Sequence, residues 1–262
     1  MHGKTSWINA TSLTLGFAFF YLPLLILVVF SFNDGRLVTV WTGFSLRWYA
    51  EVLQNDEMLE AAWNTVRIAA LSSTMAVILG SFAAITLVRM GRFWGRTLFA
   101  GMIFAPLVMP VVITGLSLLL LFVALDIQRG FWTIVIAHTT FNLALSAVVI
   151  ASRLVSFDRS LEEAAYDLGA SSFATFTQVT LPIISPAVVS AWLLSFTYSM
   201  DDLVIAAFTA GPGSTTLPMK LYSSVRLGVS PEINALSTIL ISVVALGICI
   251  AAYVDFRRDK NT

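Results

Sequence analysis

The chain has 262 residues, 58% of them hydrophobic and 11% charged, with a mean hydropathy of +0.86 and no formal net charge. A water-soluble domain carries roughly a quarter charged residues, so water is the wrong solvent for most of this chain, and zero net charge gives no sign of a nucleic-acid-binding surface. Its only cysteine, Cys249, cannot form a disulfide within the chain; lying in an apolar run, it is expected to be a small buried side chain.

A bilayer crossing takes about 20 mostly apolar residues. Runs at residues 13–32, 61–88, 98–125, 131–151, 184–208 and 235–254 satisfy this, so the sequence predicts an all-α polytopic membrane protein of about six spans. The apolar part of the first run is too long for a leader, its basic flank is only Lys4 with His2, and no small-x-small cleavage site follows, so it reads as a retained span. No linker or short repeat interrupts the rest, which implies a single membrane domain over 1–262, with a core of five spans at 61–254.

The connections alternate in charge. Arg89, Arg92 and Arg96, then Arg153 and Arg159, then Arg257, Arg258 and Lys260 fall on one side, together with Lys4. Arg36, Arg47, Arg129, Lys220 and Arg226 fall on the other. Positive charge favours the cytoplasm, so both termini are expected there.

Between the first two spans, "GFSLRWYAEVLQND" predicts a short helix capped by Ser45, with Leu46, Tyr49, Val52 and Leu53 on its apolar face. Trp41, Trp48 and Tyr49 suit the headgroup level, or a docking surface for an external partner.

In the third span, "FAPLVMPVVITGLSLLLLF", Pro106, Pro110 and Gly115 can loosen the backbone at membrane depth. Broken helices often line transport routes, and a packing kink is equally open. In the fourth span His138 is alone, which makes it a satisfied core histidine and argues against a metal site.

Residues 152–183 are polar by comparison and contain "SFDRSLEEAAYDLGASSFATFTQVTLP". Asp158 or Ser160 can cap a helix start, and Ser160 with Glu163 has capping-box spacing. Leu161, Ala164, Ala165 and Leu168 then make one narrow, small-faced apolar stripe. Gly169 can take the left-handed conformation that ends a helix. Ser171 or Ser172 can start a second short helix towards Leu181, and Pro182 suits the first turn of the next span.

In Glu163-Ala164-Ala165, three residues, Gly169, nine residues and Val179-Thr180-Leu181-Pro182, this segment resembles the EAA loop of ATP-binding-cassette importer permeases. The family usually has Ile where Val179 stands. The resemblance implies the type I importer permease fold, with residues 163–169 as a helix seated in a groove of a separate ATPase. Glu163, Ala164, Ala165, Asp167, Gly169, Leu181 and Pro182 would be the coupling residues. ATP and Mg would bind that partner, with no cofactor in this chain. The nearest approach to a phosphate-binding loop here, "GRFWGRT" at 91–97, is one residue short and has Arg96 in place of Lys.

The fifth span carries "LLSFTYSMDDLVIAAF". An Asp at a helix centre costs roughly 2.5 to 3.5 kcal/mol on insertion scales, so Asp201 and Asp202 are expected to face protein, water or a cation. On a continuous helix Ser195, Tyr198, Asp201 and Asp202 share neighbouring parts of one face, which suits an elongated organic cation: carboxylates for the ammonium, an aromatic ring for cation–π contact. The plainer reading is that the pair binds helix ends or a partner Arg.

The stretches "SFTYSMDDLVIAAFTAGPGSTTLPMKLYSSVRLGVSPEINALST", "LVMPVVITGLSLLLLFVAL" and "FSLRWYAEVL" are similar to permeases of putrescine and spermidine importers, the putrescine type above all. That likeness covers nearly the whole chain. It implies a non-catalytic subunit of a bacterial inner-membrane polyamine importer, paired with a second permease, two copies of an ATPase and a periplasmic polyamine-binding protein. One departure stands out: related permeases tend to have an Asp directly after the Met-Pro of the third span, where this chain has Val111. The alternatives are an importer permease for another small solute and, from another class, an ion-coupled secondary transporter. The acids argue against an anionic solute, and a secondary transporter usually shows inverted repeats that this sequence lacks.

Overall fold

The computed structural model describes residues 7–36, 40–227 and 230–259, and among them it is helical with no strand beyond one isolated bridge, Asn33 to Phe44. Lys4 and Lys260, which contribute to the charge asymmetry, lie outside the described residues. Twelve helices follow one another among the described residues: α1 Trp7–Phe30, α2 Arg47–Gln54, α3 Asp56–Arg89, α4 Arg96–Val108, α5 Val111–Ala124, α6 Phe131–Ser156, α7 Ser160–Asp167, α8 Ser172–Thr175, α9 Leu181–Asp201, α10 Val204–Thr209, α11 Leu217–Leu227 and α12 Pro231–Asp259. A π-helical turn, Phe176–Thr180, joins α8 to α9.

Four stretches are long and apolar enough to cross a membrane: Asn9–Phe30, Asp56–Arg89, Phe131–Ser156 and Ser172–Asp201. The expected third span is not one straight helix. It is the pair α4 and α5, bent by 115° at Met109–Pro110, and it makes a fifth crossing if the pair is one span. Pro110 supplies the break, standing at the N-cap of α5 in extended conformation. Pro106 stays inside α4. Gly115 is no kink either, because a Cβ there would lie 2.7 Å from the Phe208 ring, so its smallness serves packing. For the expected sixth span, α12 carries the apolar stretch Pro231–Leu246.

The chain forms two compact units, residues 1–59 with 221–262, and residues 60–220. In the first unit α12 packs on α1 and α2. The turn after α1 is tied by Asn33, whose amide donates to the Val40 carbonyl at 2.7 Å and accepts from the Thr42 N–H at 2.8 Å. Trp48 is 5% exposed and donates its indole N–H to the Asn33 carbonyl at 2.7 Å, while the Tyr49 hydroxyl meets Ser31 Oγ at 2.6 Å. These two aromatics therefore tie α2 to the end of α1, with Trp48 buried, Tyr49 half-buried and Trp41 half-exposed. The buried face of α2 is Trp48 and Val52, with Leu46 and Leu53 exposed. Cys249 is also exposed on α12, against the expectation of burial.

The second unit is organised around α6, which packs on α4, α5, α9 and α10. Small residues set the approach of α3 to α6: a Cβ on Gly80 would stand 2.7 Å from Ser146 Cβ and 3.0 Å from the Ala147 nitrogen. Membrane helices have no hydrophobic drive towards one another, so such close backbone packing and interhelical hydrogen bonds do that work. Val77, Ala84, Ile150, Leu154, Ile184 and Ala191 form the apolar centre of this α3–α6–α9 contact.

Candidate functional site

Two regions of the second unit carry the polar chemistry. The first is the segment from α7 to the start of α9. Asp158, not Ser160, holds the start of α7, accepting the Ser160 N–H at 3.0 Å. Those contacts with Ser160 keep the Asp158 carboxyl below its ordinary range. Helix α7 ends as its sequence dictates: Gly169 is left-handed at φ +86°, its N–H bonds to the Tyr166 carbonyl, and the Ala170 N–H reaches back to Ala165. That pair of bonds is the Schellman arrangement a glycine makes possible.

Beyond Gly169 the helices differ from expectation. Ser171 accepts the Ala174 N–H at 3.2 Å and starts α8, but α8 is only four residues long and runs through the π turn directly into α9. Pro182 lies in the first turn of α9. Its ring cannot sit against the carbonyl four residues back and it has no N–H to offer, so the preceding turn widens; the Leu181 N–H bonds to Phe176, five residues back.

The predicted coupling residues fall on different sides. Glu163, Ala164, Asp167, Leu181 and Pro182 are exposed, Ala165 is half-buried, and Leu161 and Leu168 are left uncovered, Leu168 at 90% exposure. Among the described residues Glu163 pairs with Arg159, at 3.6 Å in a solvated contact, worth little by itself. Glu162, which no motif in the sequence singles out, turns inward. Its Oε2 lies 3.3 Å from Arg89 Nε and its Oε1 accepts the Thr180 hydroxyl at 2.7 Å. A cavity of about 640 Å³ lies beside this contact, bounded by Phe82, Arg89, Glu162, Tyr166 and Phe173.

The second region is the end of α9. The expected fifth span does not continue to Phe208. Helix α9 stops at Asp201, Asp202 is extended, and the short α10 begins at Val204. Asp202 therefore stands off the helix that carries Ser195, Tyr198 and Asp201, and the four candidate residues do not form one helical face. Ser195 is fully buried with its hydroxyl 3.0 Å from Ser146, a packing contact between α9 and α6. Asp202 accepts the Ala206 N–H at 2.8 Å and caps α10, while its Oδ2 sits 3.1 Å from His138 Nε2. Asp201 is left exposed, and Tyr198 is half-exposed with its ring centroid 6.1 Å from that of Phe141.

His138 is buried and satisfied on both nitrogens, with Nδ1 2.6 Å from Ser199 Oγ, which in turn lies 3.1 Å from Ser72 Oγ. One polar string thus runs from α3 through α9 and α6 to the N-terminus of α10. It holds the helix break in place. Beside it a cleft of about 280 Å³ is lined by Val111, Phe141, Asn142, Tyr198, Asp201 and Asp202. Asn142 is buried, donates to the Ser195 carbonyl at 3.3 Å, and leaves its own carbonyl oxygen without a donor. Val111, at the position of the family departure, is on the wall of this same cleft. Among the described residues no group of three or more His, Cys, Asp or Glu gathers as metal ligands would.

The family of binding-protein-dependent transport system inner membrane components matches residues 76–259. The chain belongs to that family. As a family member it is a multi-pass, non-catalytic inner-membrane component. Its similarity to individual relatives extends along nearly its whole length. It is 57% identical over 255 residues to the putrescine transport system permease protein PotI of Escherichia coli (strain K12), covering 95% of this chain and 91% of the relative. To the spermidine/putrescine transport system permease protein PotC of the same strain it is 44% identical over 249 residues, covering 95% and 93%. A solved bacterial ABC transporter involved in the import of the acidic polysaccharide alginate superimposes with a TM-score of 0.73 at 19% identity, covering 94% of this chain and 95% of that one. That likeness shows the fold, which is the ABC importer permease fold.

Proposed function

We propose that this permease forms half of the translocation pathway of an ATP-driven importer of polyamines, putrescine or spermidine, and that a second, different permease forms the other half. Two copies of a separate ATPase bind ATP and Mg and act on the α7–α9 segment, and a periplasmic binding protein delivers the amine. Both termini face the cytoplasm, as the distribution of arginines favours.

The observation that carries the substrate reading is the exposed carboxylate of Asp201 at a helix break, beside the Tyr198–Phe141 ring pair. A carboxylate attracts an ammonium by about 4 kcal/mol at 4 Å with an effective dielectric of 20, and an aromatic face adds about 0.5 to 2 kcal/mol. Asp202 and Ser195 support the wall rather than touch the amine, since each is already bonded within the protein. An anion would meet Asp201 with the wrong sign.

The coupling reading draws on the uncovered face of α7, where Glu163, Ala164 and Leu168 present small and apolar surface with one acid. Purification from membranes in mild detergent tests both parts together. An ATPase and a second permease should co-purify, and mass spectrometry of retained ligand should find a di- or triamine. A chain that purifies alone and retains no amine contradicts the proposal.

A further inference from the structure

We propose that Glu162 is the positioning residue that carries movement of α7 into the membrane-spanning helices, while its neighbour Glu163 faces the motor. The proposal rests on the coupling role set out above. Consecutive residues on a helix diverge by about 100°, so two adjacent acids on a short helix face different things. Glu163 faces solvent with 66% of its side chain exposed, and Glu162 has 13%.

What Glu162 touches decides its role. Arg89 is the last residue of α3, a helix of 34 residues that spans the membrane. Thr180 is the last residue of the π turn that feeds α9. One carboxylate, with one oxygen on each, therefore links α7 to two spans. The Arg89 guanidinium also lies 5.2 Å over the ring of Phe157, the residue that ends α6, so a third span is held by the same cation. The partly buried charges are screened less than those of the Arg159–Glu163 pair.

The contact is also built to change. Arg89 Nε meets Glu162 at 3.3 Å without an aligned hydrogen bond, and Nη2 has no partner, so attraction of charge rather than a well-formed bond holds the pair. Charge attraction falls off gradually with distance, so the pair can follow a shift of α7 without letting go of α3. The π turn is the matching weak point, because a turn already closed five residues back can re-register when Thr180 is pulled.

The test uses the complete importer in proteoliposomes, measuring putrescine uptake and ATP hydrolysis together. Glu162→Gln should keep the ATPase bound and hydrolysing while uptake per ATP falls about tenfold, within the range of coupling between sites. The charge swap Arg89→Glu with Glu162→Arg should recover part of that loss. A wild-type ratio in Glu162→Gln overturns the proposal. So does loss of the ATPase from Glu162→Gln complexes, which would place Glu162 in the docking face. Should that variant fail to reach the membrane, Thr180→Val removes one hydrogen bond at constant shape and must itself lower the ratio. Glu163→Arg separates the two readings: if it leaves ATPase association intact, docking of the motor on this face is wrong whatever Glu162 does.

Discussion

His138 Nε2 and Asp202 Oδ2 lie 3.1 Å apart, joining α6 to the break between α9 and α10. The same carboxylate accepts the Ala206 N–H at 2.8 Å, so Asp202 is occupied from both sides. Its neighbour Asp201 is not.

This division predicts that the two acids fail differently when replaced. Asp202→Ala removes the acceptor for one ring nitrogen and the cap of α10. Each buried group left unpaired costs about 1 to 3 kcal/mol, so the thermal midpoint of the detergent-solubilised protein should drop clearly. An unchanged midpoint means that the polar string does not hold the break. Conservative replacement of Ser199 by Ala should act in the same direction, by about 1 kcal/mol, since it loses two bonds, to His138 and Ser72, and hydrogen bonds between membrane helices average about 0.6 kcal/mol each.

Asp201→Asn should leave folding and partner association intact and impair putrescine uptake. Loss of an ammonium–carboxylate contact at a partly wet site is worth about 1 to 3 kcal/mol, so uptake at low putrescine should fall roughly 5- to 150-fold. Wild-type uptake by Asp201→Asn proteoliposomes rules this residue out of the amine path.

Val111→Asp puts a third carboxylate on the cleft wall that Asp201 and Asp202 line. Within ~6 Å of an ammonium, at an effective dielectric of 20, it would add about 3 kcal/mol of attraction. The KM for putrescine uptake should decrease, at some cost in membrane insertion. A KM that stays put shows that this wall does not see the amine.

Gly169→Pro should abolish uptake without preventing insertion. Gly169 has φ +86°, proline is held near −65°, and the N–H that bonds to Tyr166 would be lost. Gly169→Ala, strained by about 1 kcal/mol in the left-handed region, should be partly active. A charge at exposed Ala164 should likewise stop uptake, by disturbing the motor's seat rather than the loop. Full uptake in both Gly169→Pro and Ala164→Asp removes the coupling helix from the account.

The helical turn around 163–169 was legible because its signals are local. Gly169 needs no partner to end a helix, and Pro182 disturbs the turn before it wherever it stands. Which of two adjacent acids turns inward was not legible, because the answer depends on Arg89, more than seventy positions earlier in the chain. The fifth span misled for a related reason. Apolar residues flank Asp201 and Asp202 on both sides, so hydropathy joins α9 to α10, and only the capping of α10 by Asp202 and its contact with His138 separate them. The bend in the third span left a clearer trace in Met109–Pro110, though not its angle, which packing of α5 against α10 and α6 sets. The residue types of Trp48 and Tyr49 do not announce their bonds to Asn33 and Ser31, which need partners some fifteen to eighteen positions away.

The most direct measurement is accumulation of labelled putrescine in proteoliposomes holding this permease with its partner permease and ATPase, with binding protein supplied outside. Uptake should require ATP at the ATPase side and vanish when the ATPase is left out. Accumulation that proceeds equally well with the permease alone, or without nucleotide, contradicts the account at its centre.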